Sequence, residues 1–366
     1  MRFSFARPSL AAPKAFLKPV SSIWGWLMEL RRRGYESGLL GSVKVEKPVI
    51  SVGNLTLGGN CKTPMCVFLA QALTQKGLRV AILSRGYGRV NLKGHPDPLV
   101  VSKGQGPLIS VRASGDEPYL MALKTQAMVI LAKKRALAAK AAIKAGAEVL
   151  ILDDGFQHLA LKRDLDILMV QAKEKFADDL VIPAGYLREN PDAHLKADIL
   201  VAIGESLNGP LVKLADDRPL FLAKMVPTSL TELNTNRPVT LAEISQKRLG
   251  AFCGLARPGS FFKSLAEMNV KVKAHLCLPD HEAYDEGTLK TLAKFKDLNR
   301  LDLLVTSAKD AVKLPNNAPF STPLAAPNNA ANHAPLAPPW PIIALESELV
   351  IDRPEEFLEK TLKSLN

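Results

Sequence analysis

Several things are scarce in this 366-residue chain, and each scarcity closes off a class of protein. Aromatic residues make up only 6%. No aromatic stacking motif or recognition-helix pattern for nucleic acid is present. There are four cysteines, Cys61, Cys66, Cys253 and Cys277, with no C-x-x-C pair and no Cys/His cluster at zinc spacing. The expectation is free thiols in a reducing compartment. Long apolar runs are missing too, since nothing reaches the ~18–20 residues that span a bilayer. The best early candidate, "VSSIWGWLMEL" (20–30), is short, contains Glu29 and lacks a small-residue cleavage site after it. It is therefore not expected to be a secretory signal. No internal repeat is found.

Acids are outnumbered by bases, 36 to 48, leaving a net charge of +12. That balance favours anionic partners: nucleic acid, phosphorylated small molecules or an acidic membrane surface. Composition alone does not choose among them. The remaining totals, 47% hydrophobic and 23% charged, are those of a folded protein with a sizeable core, and the length suits two domains.

Residues 1–33 hold seven bases and one acid, interleaved with Ile23, Trp24, Trp26, Leu27 and Leu30. Such a segment either packs on the protein's own core or lies in a membrane interface, and basic charge beside tryptophan favours the interface. "PVISVG" (48–53) reads as a buried strand, and 64–76 as a helix with Pro64 in its first turn. "LRVAILSRGYGR" (78–89) reads as a strand followed by a Gly-rich turn. "KKRALAAKAAIKAGA" (133–147) reads as a helix stopped by Gly146. "EVLILDDG" (148–155), "LDILMV" (165–170) and "ADILVAIG" (197–204) are further continuous apolar strands. Strands of this kind alternating with helices predict an α/β fold, a mostly parallel sheet covered by helices.

From 219 to 245 the pattern weakens and predicts an extended connector. Strand, loop and helix then restart at "LGAFCGLARPGSFFKSLAEM" (249–268) and again at "DLLVTSAKDAVKL" (302–314). The expected layout is a basic N-terminal segment (1–42), a nucleotide-binding core with connector (43–240), and a smaller α/β domain (241–366). Residues 315–341, with eight prolines among Asn, Ala and Ser, form an insertion too poor in apolar surface to fix one conformation.

Chemistry concentrates in four stretches. "VGNLTLGGNCKTP" (52–64) follows a strand and precedes a helix, as a phosphate-binding loop does. The strict G-x-x-x-x-G-K-[ST] pattern is not met, because Thr56 and Cys61 stand where its glycines belong. Lys62 and Thr63 are in order, so an ammonium can reach the β/γ-phosphates and a hydroxyl can face Mg²⁺. Backbone N–H groups at the helix start add anion affinity. If position 61 needs φ > 0, a side chain there is strained by about 1–2 kcal/mol. The plainer alternative is a Gly-rich turn with a surface lysine.

"VLILDDGFQH" (149–158) ends an apolar strand on Asp153 and Asp154, at the end of a parallel strand where such sheets bind ligands. Carboxylates there suit Mg²⁺, though many such strand ends are only turns. In "SGDEPYLMA" (114–122), Asp116 is either a helix N-cap or a base facing a transferred phosphoryl group. In "LPDHEAY" (278–284), His281 lies between two acids, which raise a histidine's basicity. A lone histidine is more often structural.

In order, "PVISVGNLTLGGNCKTP", "SRGYGR", "GDEP", "LDDGFQH", "RDLDILMV", "PAGYLREN", "FCGLARPGSFF", "PDHEAY" and "KDAVKL" resemble the tetraacyldisaccharide 4′-kinases of lipid A biosynthesis. The resemblance implies a P-loop kinase with a second domain closing over the site, peripheral to the cytoplasmic face of a Gram-negative inner membrane. ATP and Mg²⁺ would be used, and the acceptor would be an acylated glucosamine disaccharide 1-phosphate. Thr56, Leu57, Gly58, Gly59, Asn60, Cys61, Lys62 and Thr63 would hold the ATP phosphates. Thr63, Asp153 and Asp154 would manage Mg²⁺, Asp116 would act as base, and His281 would support it from the second domain. Asn54, Arg85, Arg89 and Arg188 are candidate substrate contacts.

The chain departs from the family at Cys61, usually glycine, at Glu282, and at Ala308, where "SAKDAVK" replaces "TEKDAVK". Two rivals remain: a membrane-bound P-loop ATPase of the partitioning or metal-insertion type, and a basic nucleic-acid binder supported only by net charge. Neither a nucleic-acid nor a protein partner is expected.

Overall fold

A computed structural model describes residues 15–86, 97–173, 179–207, 209–233, 235–280, 282–314 and 340–365. Arg89, His281 and nearly all of the 315–341 insertion lie outside the described residues.

The apolar runs form strands β1 (Val49–Gly53), β2 (Val80–Ser84), β3 (Leu99–Lys103), β4 (Met128–Leu131), β5 (Val149–Asp153), β6 (Leu165–Gln171) and β7 (Ile199–Ile203). They continue as β8 (Leu220–Glu232), β9 (Pro238–Val239), β10 (Leu249–Cys253), β11 (Val272–Cys277), β12 (Leu303–Ser307) and β13 (Ile342–Ile351). All thirteen belong to one sheet, ordered β11-β10-β12-β13-β8-β7-β6-β1-β5-β2-β4-β3, with β9 beside β8. Two parallel blocks meet at a single antiparallel pair, β8 with β13. Antiparallel β3 closes the far edge.

Helices cover the faces: α1 (Lys18–Glu36), α2 (Lys62–Gln75), α3 (Val111–Ser114), α4 (Asp116–Lys124), α5 (Arg135–Lys144) and α6 (Gly209–Ala215). They continue as α7 (Leu241–Ile244), α8 (Pro258–Glu267), α9 (Glu286–Leu298), α10 (Ala308–Ala311) and α11 (Pro354–Lys363). In α2, Met65, Cys66, Leu69, Ala70 and Leu73 recur at helical spacing and are fully buried against the central strands. The C-terminal helix α11 returns to the first block. There Phe357 meets Phe221 edge-on at 5.2 Å and is completely buried.

The expected connector at 219–245 is instead β8, thirteen residues long, followed by β9 and the short α7. Its pattern was hard to read for two reasons. It joins two sheet blocks, so its burial alternates poorly, and it contains Pro227. The ladder register shifts opposite that proline, between Glu346 and Ser347. A proline is tolerated in a strand at such an irregularity.

α1 turns its small and polar residues inward and its apolar ones outward. Ser21, Gly25, Arg32 and Gly34 are buried, whereas Ile23 is 60% and Trp26 61% exposed, with Val20, Leu27 and Leu30 also exposed. The inner face is fixed by a buried ion pair, Arg32 to Glu189 at 2.6 Å. The Ser21 hydroxyl accepts from the Ala184 N–H at 2.8 Å. At Gly25 a Cβ would lie 2.3 Å from Asn190 Oδ1, so a larger residue would push the Asn190 side chain aside. No helix among the described residues is long and apolar enough to cross a membrane.

Candidate active site

The parallel pairing gathers the site. β1 lies between β5 and β6, and its register sets Val52 beside Asp153. The loop leaving β1 and the two aspartates ending β5 therefore emerge side by side at the carboxyl end of the sheet, where open α/β sheets bind ligands. Gly53 permits this approach, since a Cβ there would come within 2.5 Å of Phe156.

The loop itself is polar and ordered from within. Asn54 Nδ2 donates to the Thr56 carbonyl at 2.6 Å, and Asn60 Nδ2 donates to Thr56 Oγ1 at 2.7 Å. The Leu57 N–H donates to the Tyr186 carbonyl at 2.8 Å, tying the loop to the 184–190 segment. Gly58 takes φ 105°, a conformation for which glycine is suited. Cys61 also lies in the left-handed region, φ 54° and ψ 27°, directly before α2. Burial pushes its thiol up to about 11, against the pull of Arg257 and Lys62, so it is a neutral packing group at physiological pH.

Lys62 points back over the loop. Its ammonium donates to Asn54 Oδ1 at 3.0 Å and lies 3.4 Å from Asp154 Oδ1. Arg188 donates to both Asp154 oxygens at 3.0 Å and to Gln157 Oε1 at 3.2 Å. Gln157 Nε2 in turn donates to the Asn54 carbonyl at 3.0 Å. Asn54, Lys62, Asp154, Arg188 and Gln157 thus form a closed ring of polar contacts. Burial opposes ionisation of Asp154, but Lys62 and Arg188 outweigh it and hold the carboxyl below its ordinary range. Asp154 sits at φ 50°. Such backbone strain in a non-glycine residue persists where surroundings enforce it, and it clusters at functional sites.

Its neighbour has the opposite character. Asp153, 4% exposed, accepts from the Ser84 hydroxyl at 2.8 Å and from the Cys66 thiol at 3.8 Å. Burial, with the charges of Glu117 and Asp154, pushes it up to about 6. Arg135 lies beneath, donating to the Asp153 carbonyl at 3.4 Å, and burial lowers its pKa to about 10. Asp153 and Asp154 are oxygen donors of the kind a hard divalent cation takes, and no group of three or more acidic, histidine or cysteine ligands stands together among the described residues.

Asp116, 7% exposed, begins α4. It is not the N-cap, as one sequence reading had it. Gly115 occupies that position at φ 89°, and Asp116 Oδ1 accepts from the Glu117 N–H at 3.0 Å. Across from it stands Lys309 of α10, 3.7 Å from Asp116 Oδ2 and 3.2 Å from Glu117 Oε1. Burial works against the Lys309 charge, yet Glu117, Asp116 and Asp280 raise its pKa above the ordinary value. A second arm reaches over from the loop after β10, where Arg257 Nη2 donates to Asn60 Oδ1 at 3.4 Å.

The fold thus brings Thr56–Thr63, Asp153, Asp154 and Arg188 together, with Asn54 inside the polar ring. Glu117 connects Asp116 to this group, lying beside it while its charge acts on Asp153. Arg85 is exposed. Sequence reasoning did not single out Gln157, Arg257, Lys309, Ser84 or Arg135. Four of these lay inside quoted motifs: "SRGYGR", "LDDGFQH", "FCGLARPGSFF" and "KDAVKL". Their partners stand up to 197 residues away, beyond what spacing reveals. Ala308 lines a cavity of about 240 Å³ with Leu120, Lys124 and Glu346. Lys124 and Glu346 are themselves an ion pair, at 2.5 Å.

A lysine-bearing loop between a buried strand and a helix, with paired aspartates on the adjacent strand, defines the P-loop class of nucleotide-dependent phosphotransferases. A family model described as tetraacyldisaccharide-1-P 4′-kinase matches residues 13–364, and the chain belongs to that family. A tetraacyldisaccharide 4′-kinase of Syntrophotalea carbinolica is 37% identical over 314 residues, covering 82% of this chain and 83% of the relative. One of Syntrophus aciditrophicus is 36% identical over 321 residues, covering 83% and 85%. The crystal structure of LpxK from Aquifex aeolicus in complex with ATP is similar at TM-score 0.72 and 30% identity, covering 96% of this chain and 99% of that one.

Proposed function

We propose that the chain transfers the γ-phosphate of ATP to the 4′-hydroxyl of a tetraacylated glucosamine disaccharide 1-phosphate, a step of lipid A biosynthesis. Family membership supports the reaction. The observation that carries the site is the arrangement of Lys62, Asp154 and Asp116 beside Lys309 and Arg257, contributed by both ends of the sheet.

In this reading the Thr56–Thr63 loop binds the phosphates through its backbone N–H groups, with Lys62 on the β/γ oxygens. Asp116 accepts the hydroxyl proton as the 4′-oxygen bonds to the γ-phosphorus, the bond to the bridging oxygen breaks, and ADP departs. His281 assists Asp116 from the second unit, which begins near residue 241. Phosphoryl transfer asks mainly for positioning and charge neutralisation, and Lys62, Arg257 and Lys309 supply cationic charge. Thr63, Asp153 and Asp154 would hold Mg²⁺, which neutralises phosphate charge. The exposed apolar face of α1 lies in the membrane interface at the cytoplasmic side, with the exposed bases Lys18 and Arg33 on lipid phosphates.

Incubation with ATP and the tetraacyl disaccharide 1-phosphate should yield the bisphosphorylated lipid. ATP hydrolysis with no lipid product would instead indicate the partner-switching ATPase. Asp116→Ala should lose turnover by about 10²-fold or more while ATP binding survives. Full activity in that variant removes Asp116 as base. Ile23→Glu with Trp26→Glu should abolish co-sedimentation with anionic vesicles; unchanged sedimentation would rule out the helix as the membrane contact.

A further inference from the structure

α1 reaches the nucleotide site. Arg31, half-buried on its inner side, directs both terminal nitrogens to the Gln157 carbonyl at 3.1 Å. Trp24 Nε1 donates to the Arg188 carbonyl at 3.2 Å. Gln157 and Arg188 are two of the five members of the polar ring around Lys62 and Asp154. One helix therefore grips that ring at two backbone points, while its opposite face is apolar and exposed. The next residue, Arg32, is locked to Glu189 and lies 5.4 Å from the Phe156 ring centre, so the helix does not roll freely on its seat.

We propose that Arg31 is a positioning residue for the nucleotide site. It fixes the Gln157 backbone, so that the Gln157 amide braces Asn54 and Arg188, and these hold Lys62 and Asp154. The inference rests on the reading of Lys62 as the phosphate contact and Asp154 as a Mg²⁺ ligand, but not on the identity of the lipid. Gln157 can hold both partners only if its backbone is set, because its side chain is spread between Asn54 O and Arg188 Nη1. Loss of the Arg31 clamp frees the Gly155–Gln157 turn and loosens Asn54 and Arg188, so that Lys62 is no longer aimed by Asn54. By the same connection, whatever displaces α1 at a lipid surface alters nucleotide affinity, and nucleotide alters the seat of α1 to the same extent.

The test measures the Kd of a fluorescent ATP analogue and the kcat and KM for ATP, with thermal unfolding as a control. Arg31→Ala is expected to raise Kd and KM for ATP about three- to tenfold at near-native Tm, the size of one lost network contact. Arg31→Lys, which keeps one donor, should recover part of it. Gln157→Ala should give a comparable loss, and the double variant should be no worse than Gln157→Ala alone. Unchanged nucleotide affinity in Arg31→Ala, or fully additive losses in the double variant, overturns the proposal. If Arg31→Ala does not fold, the Arg31→Lys and Gln157→Ala pair still decides, because an additive Kd effect in that pair rejects it. A wild type that binds ATP yet leaves the lipid unphosphorylated would defeat the kinase reading while leaving this one standing.

Discussion

The Lys62 ammonium lies 3.4 Å from an Asp154 oxygen, and Arg188 grips the same carboxylate from its other side. The lysine that serves phosphate in this reading is therefore shared with an acid, and an arriving nucleotide competes with that acid. Asp154→Asn should bind ATP at least as tightly as wild type in the presence of EDTA, because the competing charge is gone. Its turnover with Mg²⁺ should fall by about 10²-fold. Weaker metal-free binding in the variant would show that Asp154 orients Lys62 rather than competing for it.

Cys61 carries a side chain at φ 54°. Replacing it by glycine removes about 1–2 kcal/mol of left-handed strain and adds about 0.5–1 kcal/mol of unfolded-chain entropy. The two nearly offset, so Cys61→Gly should stay within about 1 kcal/mol of wild type in urea unfolding. Cys61→Val should be about 2 kcal/mol less stable, because a β-branched residue resists this conformation. Equal stability of the two variants would refute the strain argument.

The Arg32–Glu189 pair is buried, its side chains 4% and 6% exposed. Removing one partner leaves an uncompensated buried charge, so Arg32→Met should cost about 3–5 kcal/mol. Adding Glu189→Leu should recover much of that loss. A single variant as stable as the double would mean that the pair contributes only packing.

His158 is held neutral. Burial, reinforced by Arg135, Arg163, Arg31 and Arg85, lowers its pKa from 6.5 to about 4. A depressed pKa means the unfolded chain binds the proton more readily than the folded one. The folded state is therefore disfavoured as pH falls from 6.5 towards 4, and unaffected by this group above 7. NMR titration should find the ring uncharged at pH 5.5. The stability gap between wild type and His158→Gln should shrink across that window. A His158 midpoint near 6.5 would contradict the assignment.

The strands were legible because parallel strands covered on both faces are continuous apolar runs, as in β1, β5, β6 and β7. β8 was not, because its burial alternates irregularly and Pro227 interrupts it. The α1 helix was legible in its composition but not in its orientation. Basic residues beside tryptophan suggested an interface, while the inward face is made by Ser21, Gly25 and Arg32, whose partners Ala184, Asn190 and Glu189 are far along the chain.

By itself the sequence determined the local frame of the candidate phosphate loop. It placed Lys62 and Thr63 at a helix start and put two aspartates at a strand end, because those features depend on neighbours within a few residues. Strain at Cys61 was expected only if that position needs φ > 0, and the fold supplies the condition with φ 54°. Only the tertiary structure decided which cations face which carboxylates. Asp154 is drawn down by Lys62 and Arg188, while Asp153, one residue earlier, is pushed up by burial and Glu117. Asp153 ends β5, whereas Asp154 lies in the turn after it at φ 50°, so the two meet different surroundings, and electrostatics follows those surroundings rather than sequence order. Lys309 at Asp116 and Arg31 at Gln157 are pairings made by the sheet's order and by the seat of α1, neither of which local sequence encodes.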